Sequence, residues 1–238
     1  HRNLGRVLEL QGDLENAEDE LRRAVALNPD LVVERLFLGS LLTRRGDYDA
    51  AAIEYEKVRA VMPDEPGLHH GVGLLLAAQG DYEAAEVELR KAFDADKRNC
   101  AHTFDLCWVL MKGSDDARFD RERRNIAGQL ARFFITPEEK GMAKALYDKG
   151  VELETDGHVL EAYGLYRNAL SFSPRDPFSY GQLSKFEKDR GNFERARVWG
   201  ELSLDIDPNS PNIRTMLNDI LLTLDLEPRR VQEDQEDG

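Results

Sequence analysis

The chain has 238 residues, 33% of them charged and 41% hydrophobic, with a formal net charge of −14. Such a charge repels phosphate backbones and anionic lipid surfaces, which argues against nonspecific nucleic-acid binding, and no run of about 20 apolar residues is present to insert into a membrane. The two cysteines, Cys100 and Cys107, stand seven residues apart on one expected helix, too far to pair without breaking it, which favours a reducing compartment such as the cytoplasm.

The first expected element is a helix with Leu4, Gly5 and Leu8 on one stripe, closed by a turn at Gly12-Asp13. A second helix carries Ala17, Leu21 and Ala24 and is stopped by Pro29. Two antiparallel helices approach closely only where side chains are small, which accounts for Gly and Ala at fixed places. The series returns as Leu38, Gly39, Leu42, Gly46, Ala51, Tyr55, Val58 and Pro63, and again as Val72, Gly73, Leu76, Gly80, Ala85, Leu89 and Ala92. Gly12, Gly46 and Gly80 are each 34 residues apart.

The rhythm then breaks. From Gly80 to Gly157 is 77 residues, two periods plus nine, so one irregular hairpin is expected between them: a helix over Ala101 to Lys112 and a lengthened one over Phe119 to Phe134. Thr136-Pro137-Glu138-Glu139 reads as a capped helix start, and Asp176-Pro177 and Ser210-Pro211 begin later helices in the same way. Gly157 and Gly191 restore the 34-residue spacing, although Ser184, Gly200 and Ser203 predict looser packing in the last full hairpin. A single helix over 211–224 follows, and then a polar tail too poor in apolar residues to fold alone.

These residues resemble the tetratricopeptide repeat family, whose unit is a 34-residue helix–turn–helix. The resemblance implies an all-α fold, a right-handed α-solenoid with a C-terminal capping helix. The array is expected over 1–225, with units at about 1–31, 32–65, 66–98, an irregular 99–136, 137–176 and 177–209, a cap at 210–225, and an acidic tail at 226–238.

Chemistry is sparse in this pattern. Cys100, His102 and Cys107 are the best metal-ligand candidates, but His102 lies about 160° around the helix from Cys100 and about 140° from Cys107, so buried structural cysteines are the expectation and no cofactor is implied. His69-His70 has no nameable nucleophile beside it, and Arg121, Arg123 and Arg124, interleaved with Asp120 and Glu122, read as helix surface. The chain is therefore expected to be an interaction scaffold with no catalysis of its own. The alternatives are the recruiting segment of a larger enzyme and a homo-oligomeric structural solenoid.

In the family, the first helix of each hairpin lines the concave, ligand-facing surface. Carried onto this sequence, the resemblance gives Arg2 and Arg6, Leu36 and Ser40, His70 and Leu74, then Phe104, Trp108 and Met111 in the irregular unit, Lys144, Tyr147 and Val151, and finally Lys185 and Lys188. Phe104, Trp108 and Met111 form a second apolar stripe opposite Leu106 and Leu110; it is either covered from within the chain or a pocket for a partner's anchor residue. The expected partner is a protein or peptide with hydrophobic anchors and acidic flanks. Ile220 and Leu224 point away from the capping helix's stripe and are either covered locally or available for self-association. The carboxylate clamp of chaperone-binding relatives is not matched, because Phe37, Gly67 and Gly71 occupy its places.

Overall fold

In the computed structural model, residues 13–28 and 31–226 are described, and among them the chain forms twelve helices and no strand. They fall into two compact units, one ending at Asp96 and the other starting at Lys97, two residues before the irregular unit was expected to begin.

The first unit contains α1 (Leu14–Leu27), α2 (Val32–Arg45), α3 (Tyr48–Val61), α4 (Pro66–Ala78) and α5 (Tyr82–Ala95). The Gly46-Asp47 and Gly80-Asp81 pairs each perform two jobs. Gly46 and Gly80 take φ values of 83° and 87°, in the left-handed region where a side chain is strained, and so stop α2 and α4. Asp47 and Asp81 then start the return helices, accepting from the backbone N–H groups of Ala50 at 3.2 Å and Ala84 at 3.0 Å. Successive hairpins are keyed together by Tyr55, whose ring lies between Gly39 of α2 and Gly71 of α4. A Cβ on either glycine would sit 2.6 Å from the ring's Cε1 atom. Leu21, Leu38, Leu42, Val58 and Leu68 complete the core around it.

The second unit contains α6 (Cys100–Gly113), α7 (Asp116–Ala131), α8 (Pro137–Thr155), α9 (Val159–Phe172), α10 (Pro177–Asp189), α11 (Phe193–Ile206) and α12 (Pro211–Thr223). The helix start at Thr136 is a full capping box: its Oγ1 accepts from Glu139 N–H at 3.1 Å, and Glu139 Oε2 accepts from Thr136 N–H at 2.9 Å. Asp176 caps α10, accepting from Ser179 N–H at 2.9 Å, whereas Ser210 makes no side-chain cap on α12.

At the end of the array one expectation is corrected and one alternative is decided. Packing at the last hairpin is tight, because Ser184 Oγ donates to Ala196 O and Ser203 Oγ donates to Pro177 O, both at 2.7 Å, and these bonds pull the small residues into contact. A Cβ on Gly200 would meet Ser184 Oγ at 3.0 Å. Ile220 is fully buried and belongs to the core with Leu217 and Leu221, and Leu224 is half-buried, so the pair does not form an open apolar patch.

The largest departure concerns the irregular hairpin. Within its unit, α6 packs on α9 and α11, and α7 packs on α11, so the hairpin lies against the second helices of the regular hairpins. Phe104, 2% exposed, stacks on Trp199 with ring centroids 4.4 Å apart, and the Arg195 guanidinium lies 4.5 Å from the Phe104 centroid. Arg123 is not a surface residue. It is 2% exposed and donates to Asp205 at 2.6 Å, Glu201 at 2.6 Å and Asp120 at 2.8 Å. Arg197 adds bonds to Glu201 at 3.2 Å and Asp116 at 2.9 Å, and the Phe119 ring lies 4.9 Å from the Arg123 guanidinium and 5.3 Å from that of Arg197. Coulombic attraction from three carboxylates outweighs desolvation and holds the Arg123 guanidinium above its ordinary value, so it stays charged.

Candidate functional site

The first helices of the regular hairpins present a face in each unit. In the first unit Leu36 and Ser40 of α2 and His70 and Leu74 of α4 are all half-buried. Leu36 rests over Gly67, where a Cβ would lie 2.9 Å from its Cδ1. The adjacent His69 is held aside, with Nδ1 2.7 Å from Glu88 Oε2 on α5.

In the second unit the face is built by α8, α10 and α12. Tyr147 of α8 lies 5.6 Å from the ring of Tyr166 and 6.3 Å from that of Phe178, and its hydroxyl accepts from Gln182 Nε2 at 3.3 Å. Phe178 is 58% exposed. Around this aromatic group the lysines are all engaged: Lys144 with Asp148, Lys185 with Glu154, and Lys188 with Asp219. Burial pushes the Glu154 carboxyl up, but the hydrogen bonds from Lys185 and Tyr166 outweigh it and leave the group below its ordinary value. Burial and the neighbouring Glu154 together hold the Tyr166 phenol high, so it remains a neutral donor at 2.8 Å from Glu154.

Phe104, Trp108 and Met111 do not join this face. They stand on α6, whose packing partners are α9 and α11, and of the two readings of this stripe cover from within the chain holds for Phe104, on which Trp199 stacks. Trp108, half-buried, lies 6.3 Å from Phe104 and has Lys112 over its ring at 4.9 Å. Arg2 and Arg6 lie outside the described residues. Cys100 and Cys107 are both buried; the Cys100 thiol donates to Arg167 O at 3.7 Å, and burial pushes its pKa up.

Two residues of importance were not singled out by sequence. Phe178 occupies the same position in the 34-residue register as Lys144, so the periodicity that marked Lys144 also marks it. Trp199, with Val198 and Leu202, makes α11 apolar on its outward side as well as its inward one, a signal that another helix must cover it.

Models of the tetratricopeptide repeat match residues 1–31 and 36–99. The chain carries tetratricopeptide repeats (TPRs) over these residues. TPR repeats generally mediate protein–protein interaction. Among solved structures, a TPR protein from Parabacteroides merdae is 16% identical, over 92% of this chain and 82% of that one, with a TM-score of 0.45. PilF of Pseudomonas aeruginosa is 16% identical over 93% and 95% of the two chains, TM-score 0.47. A thermophilic TPR protein of Thermus thermophilus is 16% identical over 93% and 97%, TM-score 0.49. No curated protein matches the chain. Among the described residues no helix of this TPR protein is long and apolar enough to cross a membrane.

Proposed function

We propose that this TPR protein is a binding scaffold that holds a peptide or helical segment of another protein on the faces made by its first helices. The observation that supports this reading most is the Tyr147–Phe178–Gln182 group. It combines an exposed aromatic ring, a second ring behind it and a polar handle, the chemistry of a binding hot spot, on rigid helices. Leu36 and Leu74, with the polar Ser40 and His70 beside them, offer a half-buried surface in the first unit. A partner with a hydrophobic anchor would cover Phe178, and acidic groups flanking that anchor would exchange with Glu154 and Asp219 at Lys185 and Lys188. No step of catalysis is needed for this role.

Affinity capture from the source organism's lysate with the wild-type chain and with Tyr147→Ala/Phe178→Ala tests it, after circular dichroism shows both to be folded. A protein retained by the first and lost by the second supports the proposal. Equal capture by both overturns it for this face.

A further inference from the structure

The two units contain the same three-helix arrangement, and one copy of it is filled while the other is open. Adding 111 to each residue number carries Gly46 and Gly80 onto Gly157 and Gly191, and carries α3, α4 and α5 onto α9, α10 and α11, end for end. In the second unit the outward groove between α9 and α11 holds α6: Cys100 bonds to the carbonyl of Arg167 on α9, and Phe104 packs on Arg195 and Trp199 of α11. In the first unit the matching groove is open, with a volume of about 470 Å³ and a floor and walls that include Ala52, Val72, Leu76, Ala84 and Val87. The matching valines show the difference directly: Val198 is 0% exposed and Val87 is 56% exposed.

We propose that the groove between α3 and α5 is a second docking site, one that takes a cationic amphipathic helix from another protein in the way the second unit takes α6. This goes beyond the peptide-binding reading of the first-helix faces, because its walls are the second helices α3 and α5 and its floor is the side of α4 turned away from His70 and Leu74. The shape of the occupant follows from the filled copy, where a helix of 14 residues with one inserted aromatic ring covers the groove. The size of its anchor follows from the substitutions. Ala52 and Ala84 stand where Tyr163 and Arg195 narrow the other groove, which leaves room for a large ring over Val72 and Leu76. Its charge follows from the surroundings: residues 46–96 hold twelve Asp and Glu against four Lys and Arg, a net −8, and the groove's own lining carries Glu56 and Glu88 against Arg59, which pairs with Glu56 at 2.8 Å.

The test uses the full chain and a fluorescein-labelled synthetic helix of Lys, Ala and Leu with one central tryptophan, made to the 14-residue length of α6. Binding is read by anisotropy at about 0.15 M salt, where the Debye length is about 8 Å. The expected result is saturable binding that weakens by about tenfold or more when the peptide's tryptophan becomes alanine, or when the protein carries Val87→Lys or Ala84→Arg, as expected for loss of a central anchor. Val87 is exposed, so lysine there leaves the fold intact, and Ala84→Arg copies the residue that narrows the filled groove. Val61→Lys, at an exposed valine outside the groove, and Phe178→Ala should leave binding unchanged. The proposal is overturned by an absence of saturable binding, by equal effects of Val61→Lys and Val87→Lys, which would reveal charge alone, or by loss with Phe178→Ala, which would place the peptide on a first-helix face.

Discussion

Replacing Arg123 by methionine should unfold the second unit far more readily while leaving the first untouched. The side chain is 3% exposed and faces Glu201, 1% exposed, and Asp205, 14% exposed. Methionine keeps a similar stem against Phe119 but removes the charge, so Asp205 loses its guanidinium partner while Glu201 keeps its bond from Arg197. Breaking a buried ion pair by deleting one member costs about 3–5 kcal/mol, most of it the burial of an uncompensated charge. With an unfolding slope of about 2 kcal/mol per M, that is a fall of roughly 2 M in the urea midpoint. The assay is built in: both tryptophans, Trp108 and Trp199, lie in the second unit, so their fluorescence reports that unit alone. Burial already holds the Asp205 carboxyl above its ordinary value, with Arg123 opposing. Without Arg123 the value rises further, so the folded state binds this proton more tightly than the unfolded chain does. The deficit of the variant should therefore shrink as pH falls from 7 towards 5. A midpoint within about 0.3 M of wild type, with no pH dependence, would refute the buried network.

Trp199→Ala should destabilise the second unit by about 3–5 kcal/mol, since the ring is 2% exposed between Phe104 and Tyr180; the check is thermal unfolding followed through Trp108. Gly71→Ala places a methyl 2.6 Å from Tyr55 and should cost about 1–3 kcal/mol, with part of the loss recovered by Tyr55→Leu in the same chain, measured by urea denaturation. Ile220→Lys should weaken the fold severely and Leu222→Lys hardly at all, because the first is 0% and the second 62% exposed; melting curves of the two variants separate them. For Glu54 and Glu88 burial raises the pKa, but hydrogen bonds and charges from Lys57 and Arg35, and from Lys91 and His69, outweigh it, so both sit below 4.5 in the fold. Their contribution is present above pH 4.5 and is lost as pH falls through those lowered values, which an acid titration of the first unit's helical signal would show.

The hairpins were legible because Gly46, Gly80, Gly157 and Gly191 are fixed by backbone geometry, and Ala51, Ala85, Ala162 and Ala196 by close helix contact; both constraints leave a residue type at a set spacing. What α6 packs against was not legible in the same way. The second apolar stripe at Phe104 and Trp108 announced that something must cover it, but the cover is α11, some 90 residues along the chain, and no periodic rule links Phe104 to Trp199. Arg123 was hidden for a related reason. A lone arginine among Asp120 and Glu122 looks like helix surface until Glu201 and Asp205 are brought beside it from 78 and 82 residues away. Register put Tyr147 and Lys185 on helices α8 and α10, but it carried no information about the carboxylates that neutralise the lysines.

The measurement that tests the binding role most directly is site-specific photocrosslinking in the source cell, with benzoylphenylalanine placed at Phe178 in one chain and at Val61 in another. Both positions are exposed, at 58% and 65%, but Phe178 belongs to the first-helix face of the second unit and Val61 to the end of α3, a second helix. A discrete crosslinked protein is expected from position 178 and none from position 61. Crosslinks of equal strength and identity from both, or from position 61 alone, would contradict the binding role.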